Sequence, residues 1–190
     1  MPPHPDIPAP TAATGATPIV ARATNPYLFI VGCPRSGTTM LKRMVKAHPL
    51  VAMTRETHWI PRPYEKQKGV TTAGEITPRI VDELFSHRRF PQMKFKRADL
   101  EQYIRDHPAL TYAELVSEIF CRYGQRKGKP LVGDKTPPYV RKLPTLAKLW
   151  PQARIVHLVR DGRNVWLSMK NWRMAHKAAG AFATWSIDPL

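Results

Sequence analysis

The stretch Leu28–Met44, LFIVGCPRSGTTMLKRM, constrains this chain more than any other. An apolar run, Leu28–Val31, enters a turn bounded by Gly32 and Gly37, and a helix-like segment follows. Strand, glycine-bounded turn and helix in that order make a phosphate loop, where main-chain N–H groups at a helix N-terminus surround an anion. The pattern G-x-x-x-x-G-K-[ST] is met at Gly32, Gly37 and Thr39, but Thr38 stands where the lysine belongs. That lysine normally reaches the β and γ phosphates of a nucleoside triphosphate. Its absence, with Arg35 inside the loop, points away from a triphosphate and towards one phosphate linked to another oxyanion.

The segments around the loop alternate strand and helix. Tyr27–Val31 reads as a buried strand. Thr38–Ala47 reads as a helix with Met40, Leu41, Met44 and Val45 on one face. Leu50–Met53 is a second strand, and TRETHWIPRPYEKQKG is a loop. Residues 76–128 read as several short helices. Thr77 caps one, with Pro78 in its first position, and Asp99 opens another. Thr111 with Glu114 forms a capping box for a third, which Gly124 or Gly128 terminates. LVGDKTP is a strand running into a turn. Tyr139–Trp150 is a helix broken or bent at Pro144. ARIVHLVR is the strongest strand, and Asp161 caps the helix carrying Val165, Trp166, Leu167 and Met169. Such alternation predicts an α/β fold with a parallel sheet covered on both faces. Ligands then bind beyond the carboxyl ends of the strands, where CPRSGTT, TRETHW, GDKTP and VRDGRNVWLS converge.

A net charge of +16, from 30 basic and 14 acidic residues, favours an anionic partner: a phosphorylated cofactor, nucleic acid or a membrane surface. Two cysteines, Cys33 and Cys121, lie outside any C-x-x-C pair, so neither zinc nor a disulfide framework is expected. Cys33 reads as a small residue packed into the loop. Residues 1–25 are rich in Pro, Ala and Thr and lack a hydrophobic signal core; they read as a disordered tail before a domain over 26–190. No apolar run approaches the ~20 residues of a membrane span. A cytoplasmic location is the expectation.

PRSGTT, RETHWIPR, GDKTP, and VRDGR with Ser168 further on, taken together, resemble the sulfotransferase family that uses 3′-phosphoadenosine 5′-phosphosulfate (PAPS). RETHWIPR looks especially like the tyrosylprotein sulfotransferases and their bacterial relatives. The resemblance covers residues 27 to about 175. It implies a P-loop NTPase-like three-layer α/β/α fold with a central parallel sheet. It also implies transfer of a sulfuryl group from PAPS to an acceptor hydroxyl without a metal. Relatives run longer, so this chain is expected to be the N-terminal part of such a domain.

The same resemblance assigns roles. Arg35, Ser36, Gly37, Thr38 and Thr39 match the loop that holds the 5′-phosphosulfate. Arg160 and Ser168 match the pair that holds the 3′-phosphate. Glu56 matches the catalytic base, and burial is expected to raise its pKa into a useful range. Lys135 matches the lysine that places charge on the bridging oxygen, with Arg35 sharing the task. His58 competes with Glu56 as base: residues two apart in an extended segment face the same side. Arg62 belongs to the element lining the acceptor side. Asp134 orients its turn, His157 is packed in its strand, and Trp59, Trp166 and Trp172 are core or pocket wall. The acceptor is a hydroxyl on a peptide tyrosine, sugar, lipid or small molecule, and no nucleic-acid partner is expected. The rival readings are a non-catalytic nucleotide- or nucleic-acid-binding module, an inactive truncated sulfotransferase, and a small-molecule kinase, which the missing lysine disfavours.

Overall fold

The computed structural model describes residues 25–178, with side chains to residue 172. The expected N-terminal tail and the last residues of the chain lie outside them. A four-stranded parallel sheet runs in the order β2-β3-β1-β4, built from Val51–Met53 (β2), Leu131–Lys135 (β3), Leu28–Gly32 (β1) and Arg154–Leu158 (β4).

Alternation along β1 splits the core. Phe29 and Val31 join one large cluster with Ile80, Leu84, Phe90, Leu115, Ile119 and Phe120. These come from α3 (Arg79–Ser86), the following 3₁₀ turn (Phe90–Met93) and α5 (Tyr112–Gln125). Leu28 and Ile30 face the other way, onto Leu41 and Val45 of α1 (Thr38–Ala47). A sheet carrying apolar residues on both faces needs a layer on each side, and here it has them.

The local signals are met in part. The capping box is present: Glu114 N donates to Thr111 Oγ1, and Thr111 N donates to the Glu114 carboxylate. Asp161 caps α7 (Gly162–Ala178) through bonds from Arg163 N and Asn164 N. Pro78, however, occupies the cap position of α3, which has no side-chain cap. Near Pro144 the segment is broken, not bent. The proline stands in the first turn of α6 (Leu143–Leu149), after a 3₁₀ stretch over Pro137–Lys142, where its missing N–H costs nothing. Gly124 lies inside α5, and a Cβ there would stand 2.5 Å from the Lys129 carbonyl oxygen. RETHWIPR ends in a short helix, α2 (Pro61–Glu65). The helix expected to open at Asp99 is α4 (Arg97–Asp106), which starts two residues earlier and carries Asp99 in its first turn.

The largest departure is β4. Its sequence is the strongest strand signal in the chain, yet among the described strands it lies at the sheet edge with residues 154–157 exposed. His157 is therefore exposed, not packed, and Trp166 on α7 is 60% exposed, whereas Trp59 is fully buried. Among the described residues no helix is long and apolar enough to cross a membrane.

Candidate active site

The first half of the site is the turn after β1. Gly32 has φ 146° and Gly37, the residue before α1, has φ 96°. The first turn of α1 has no side-chain cap and no acidic residue, so its N–H groups stay open to an anion. Ser36 and Thr38 are buried; the Ser36 hydroxyl is enclosed without a hydrogen bond. A buried hydroxyl lacking a partner is uncommon in a folded protein. Here it sits in the loop expected to hold a phosphosulfate, so these residues fit that group. Cys33 is exposed on the turn, not packed as its size suggested.

Three of the residues matched to cofactor binding meet above this turn. Arg35 Nε donates to Ser168 Oγ at 3.1 Å, and Arg160 Nη1 donates to the Arg35 carbonyl oxygen at 3.0 Å. Asp161, next to Arg160 in the chain, is held by Arg163. The end of β4, the start of α7 and the β1–α1 turn thus share one polar network.

The second half centres on Glu56, in the segment after β2. Lys135, the last residue of β3, places Nζ 2.5 Å from Glu56 Oε1 and 3.4 Å from Thr39 Oγ1. His58 Nε2 lies 3.1 Å from Glu56 Oε2. His58 has φ 58°, so the pair meets through a bend and not through the alternation of an extended chain. Arg89 Nη1 donates to the Glu56 carbonyl oxygen at 3.1 Å and lies 3.6 Å from Oε2, while Gln92 Nε2 donates to the same carbonyl at 3.3 Å.

These neighbours overturn the expected raised pKa of Glu56. Burial pushes the carboxyl up, but hydrogen bonds with His58 and Lys135, and their charges, outweigh it and hold the group at about 2. The folded value lies below the ordinary 4.5, so the ionised carboxylate stabilises the fold above pH 4.5. That contribution is lost as the pH falls from 4.5 through about 2. Urea unfolding at stepped pH is therefore expected to show a gap between wild type and Glu56→Gln that narrows across this window. A gap that stays constant with pH would contradict the assignment.

Beneath the pair lies a buried polar layer. Thr54 Oγ1 donates to Asp134 Oδ1 at 2.6 Å, while Asp134 Oδ2 is buried without a hydrogen bond. Burial pushes the Asp134 carboxyl up, against the pull of the Thr54 hydroxyl. Thr57 N donates to Thr136 Oγ1 at 3.0 Å, and the Tyr139 hydroxyl meets both Thr57 Oγ1 and Ile60 N. Asp134 and its neighbours thus lock the segments carrying Glu56 and Lys135 together. Arg62 sits on α2 with Nε 3.8 Å from Glu83 Oε1. Among the described residues no group of His, Cys, Asp and Glu is arranged to hold a metal ion.

Sequence reading missed Arg89, Gln92 and Tyr139. Arg89 and Gln92 are three apart at a 3₁₀ turn, so they share one side while Phe90 and Met93 plug the core on another. That spacing is visible in the sequence. Its meaning is not, since each contact with Glu56 spans more than thirty residues of chain.

A parallel sheet with an open phosphate-type loop, and a carboxylate–lysine pair beside it, defines the class of α/β proteins built to receive an anion at the carboxyl ends of their strands. The model described as "Sulfotransferase family" matches residues 26–188, and this chain belongs to that family. Protein-tyrosine sulfotransferase 1 of Danio rerio is 28% identical over 148 residues, which cover 78% of this chain and 36% of that protein. The Homo sapiens protein of the same name is 28% identical, covering 73% of this chain and 32% of its own length. Protein-tyrosine sulfotransferase A of Caenorhabditis elegans is also 28% identical, covering 74% and 32%. The chain spans about a third of the length of these curated relatives.

Proposed function

We propose that this chain moves a sulfuryl group from PAPS to an acceptor hydroxyl, with a peptide tyrosine as the first acceptor to try. The observation that carries the reading is Lys135. Its ammonium touches Glu56 on one side and Thr39 of the phosphate-type loop on the other. A protein that only holds a nucleotide has no use for a carboxylate–lysine pair at that point. PAPS, when bound, supplies the activated sulfuryl group.

The chain's own residues do the rest. Loop N–H groups with Ser36, Thr38 and Thr39 hold the 5′ end of the nucleotide. Arg160, with Ser168, grips the 3′-phosphate, for which a guanidinium fork suits a dianion. Lys135 and Arg35 place positive charge where the leaving phosphate oxygen becomes anionic. Glu56 takes the acceptor proton. With its pKa at about 2 it is a weak base while Lys135 is bonded to it. Lys135 turning towards the leaving phosphate removes that hydrogen bond and strengthens the base. His58, on the other carboxylate oxygen, positions Glu56.

Calorimetric titration with 3′,5′-adenosine diphosphate, against ATP with magnesium, tests the reading. The bisphosphate is expected to bind better, and Arg35→Ala and Arg160→Ala each to weaken it about 10- to 100-fold, as loss of a charge-assisted phosphate contact does. Preference for ATP would sink the proposal. The peptide acceptor is supported by the relatives' names and is tested by transfer to a tyrosine-containing peptide.

A further inference from the structure

We infer that Lys42 is an anion-binding residue of the phosphate-type loop, supplying from one helical turn away the cation that Thr38 leaves out. The inference rests on reading this loop as the seat of the phosphosulfate, and it adds a residue that no motif singles out.

The geometry starts from α1. Lys42 is three residues beyond Thr39 and four beyond Thr38, so all three lie along one side of the helix. Helical side chains tilt towards the N-terminus and cover the preceding turn. The Lys42 stem therefore leads back towards the loop. Thr39 Oγ1 is the atom that meets Lys135 Nζ, so this side of α1 faces the end of β3.

The surroundings are unusual for a lysine. Lys42 is half-buried, and among the described residues its ammonium makes no hydrogen bond or ion pair. Arg43, beside it in the chain, is exposed instead. Burial pushes the Lys42 ammonium down, and Lys135 and Lys46 push the same way, while Asp134 and Glu56 pull against them. A desolvated cation repelled by a second lysine is costly unless an anion completes the site. The enclosed, unbonded hydroxyl of Ser36 in the same loop is an independent sign of a missing oxygen-rich ligand. The ligand class is a phosphoric or phosphoric–sulfuric anhydride, whose several oxygens satisfy both groups together.

The test uses the full chain and inorganic pyrophosphate, the simplest anhydride of this class. Lys42→Met keeps the apolar stem and removes the charge. It is expected to weaken pyrophosphate binding at least about 10-fold, the loss of one charged hydrogen bond. Lys42→Arg is expected to stay within about threefold, and Lys46→Met, exposed one turn further on, to bind as wild type. The ligand-free melting temperature of Lys42→Met is expected to hold or rise, because a partly desolvated cation that makes no hydrogen bond or ion pair among the described residues is gone. Weaker binding with a lower melting temperature would mean a packing role and overturn the inference. So would unchanged pyrophosphate affinity in Lys42→Met, or a wild-type chain that binds no pyrophosphate. Lys42-dependent pyrophosphate binding, with 3′,5′-adenosine diphosphate bound no more tightly, would support the inference and defeat the sulfotransferase reading separately.

Discussion

Glu56→Gln is expected to lower sulfuryl transfer to a tyrosine peptide about 10³-fold, the middle of the range for a positioned general base. It is expected to leave the affinity for 3′,5′-adenosine diphosphate within a few-fold of wild type. The amide keeps the volume and accepts a hydrogen bond from Lys135, but it takes no proton. Lys135→Met is expected to cost a similar factor, because the leaving oxygen loses the positive charge that stabilises it. The double variant should be scarcely slower than either single one, since groups that act as a unit are not additive. Release of 3′,5′-adenosine diphosphate and sulfation of the peptide, followed together, measure all three. Glu56→Gln within about threefold of wild type would remove Glu56 as base and turn attention to His58.

Gly32→Ala is expected to destabilise the fold by about 4 kcal/mol, at the upper end for a point substitution. Two costs act together. The residue has φ 146°, a backbone region that side chains rarely tolerate. An added Cβ would stand 2.4 Å from the Leu158 carbonyl oxygen, on the strand paired with β1. Relief requires β1 and β4 to part, which also moves Arg160 away from Arg35. Urea unfolding should show the loss, and nucleotide binding should fail even where the variant remains folded. A loss below about 1 kcal/mol would show that β4 yields easily at the edge of the sheet.

The glycine has two duties, and only one is local. As part of a phosphate-loop pattern it was legible at once, because a tight turn between strand and helix needs backbone freedom that few residues have. Its second duty, letting β4 lie against β1, depends on which strand becomes the neighbour. The same division runs through the site. Arg35, Ser36, Gly37, Thr38 and Thr39 are consecutive, so their convergence follows from the turn itself. Glu56, Lys135, Arg160 and Ser168 were picked out through a pattern of motifs in order, and the structure puts Lys135 against Glu56 and brings Arg160 and Ser168 to Arg35. Arg89 and Gln92 carry no motif. A 3₁₀ turn anchored by Phe90 and Met93 delivers them to the Glu56 carbonyl from another part of the chain.

By itself, the sequence determined the strand–turn–helix at the heart of the site, the capping of α5 and α7, and the alternation that demands a parallel sheet. Each depends on neighbours within a few residues, where backbone preference and hydrophobic period decide the outcome. Tertiary structure alone decided the strand order, which leaves the apolar strand β4 at the edge of the described sheet with His157 exposed. It also decided the ionisation of Glu56. Burial by itself raises a carboxyl pKa, and only the distances to Lys135 and His58 reverse that sign, because charge and hydrogen bonding act through space and not along the chain.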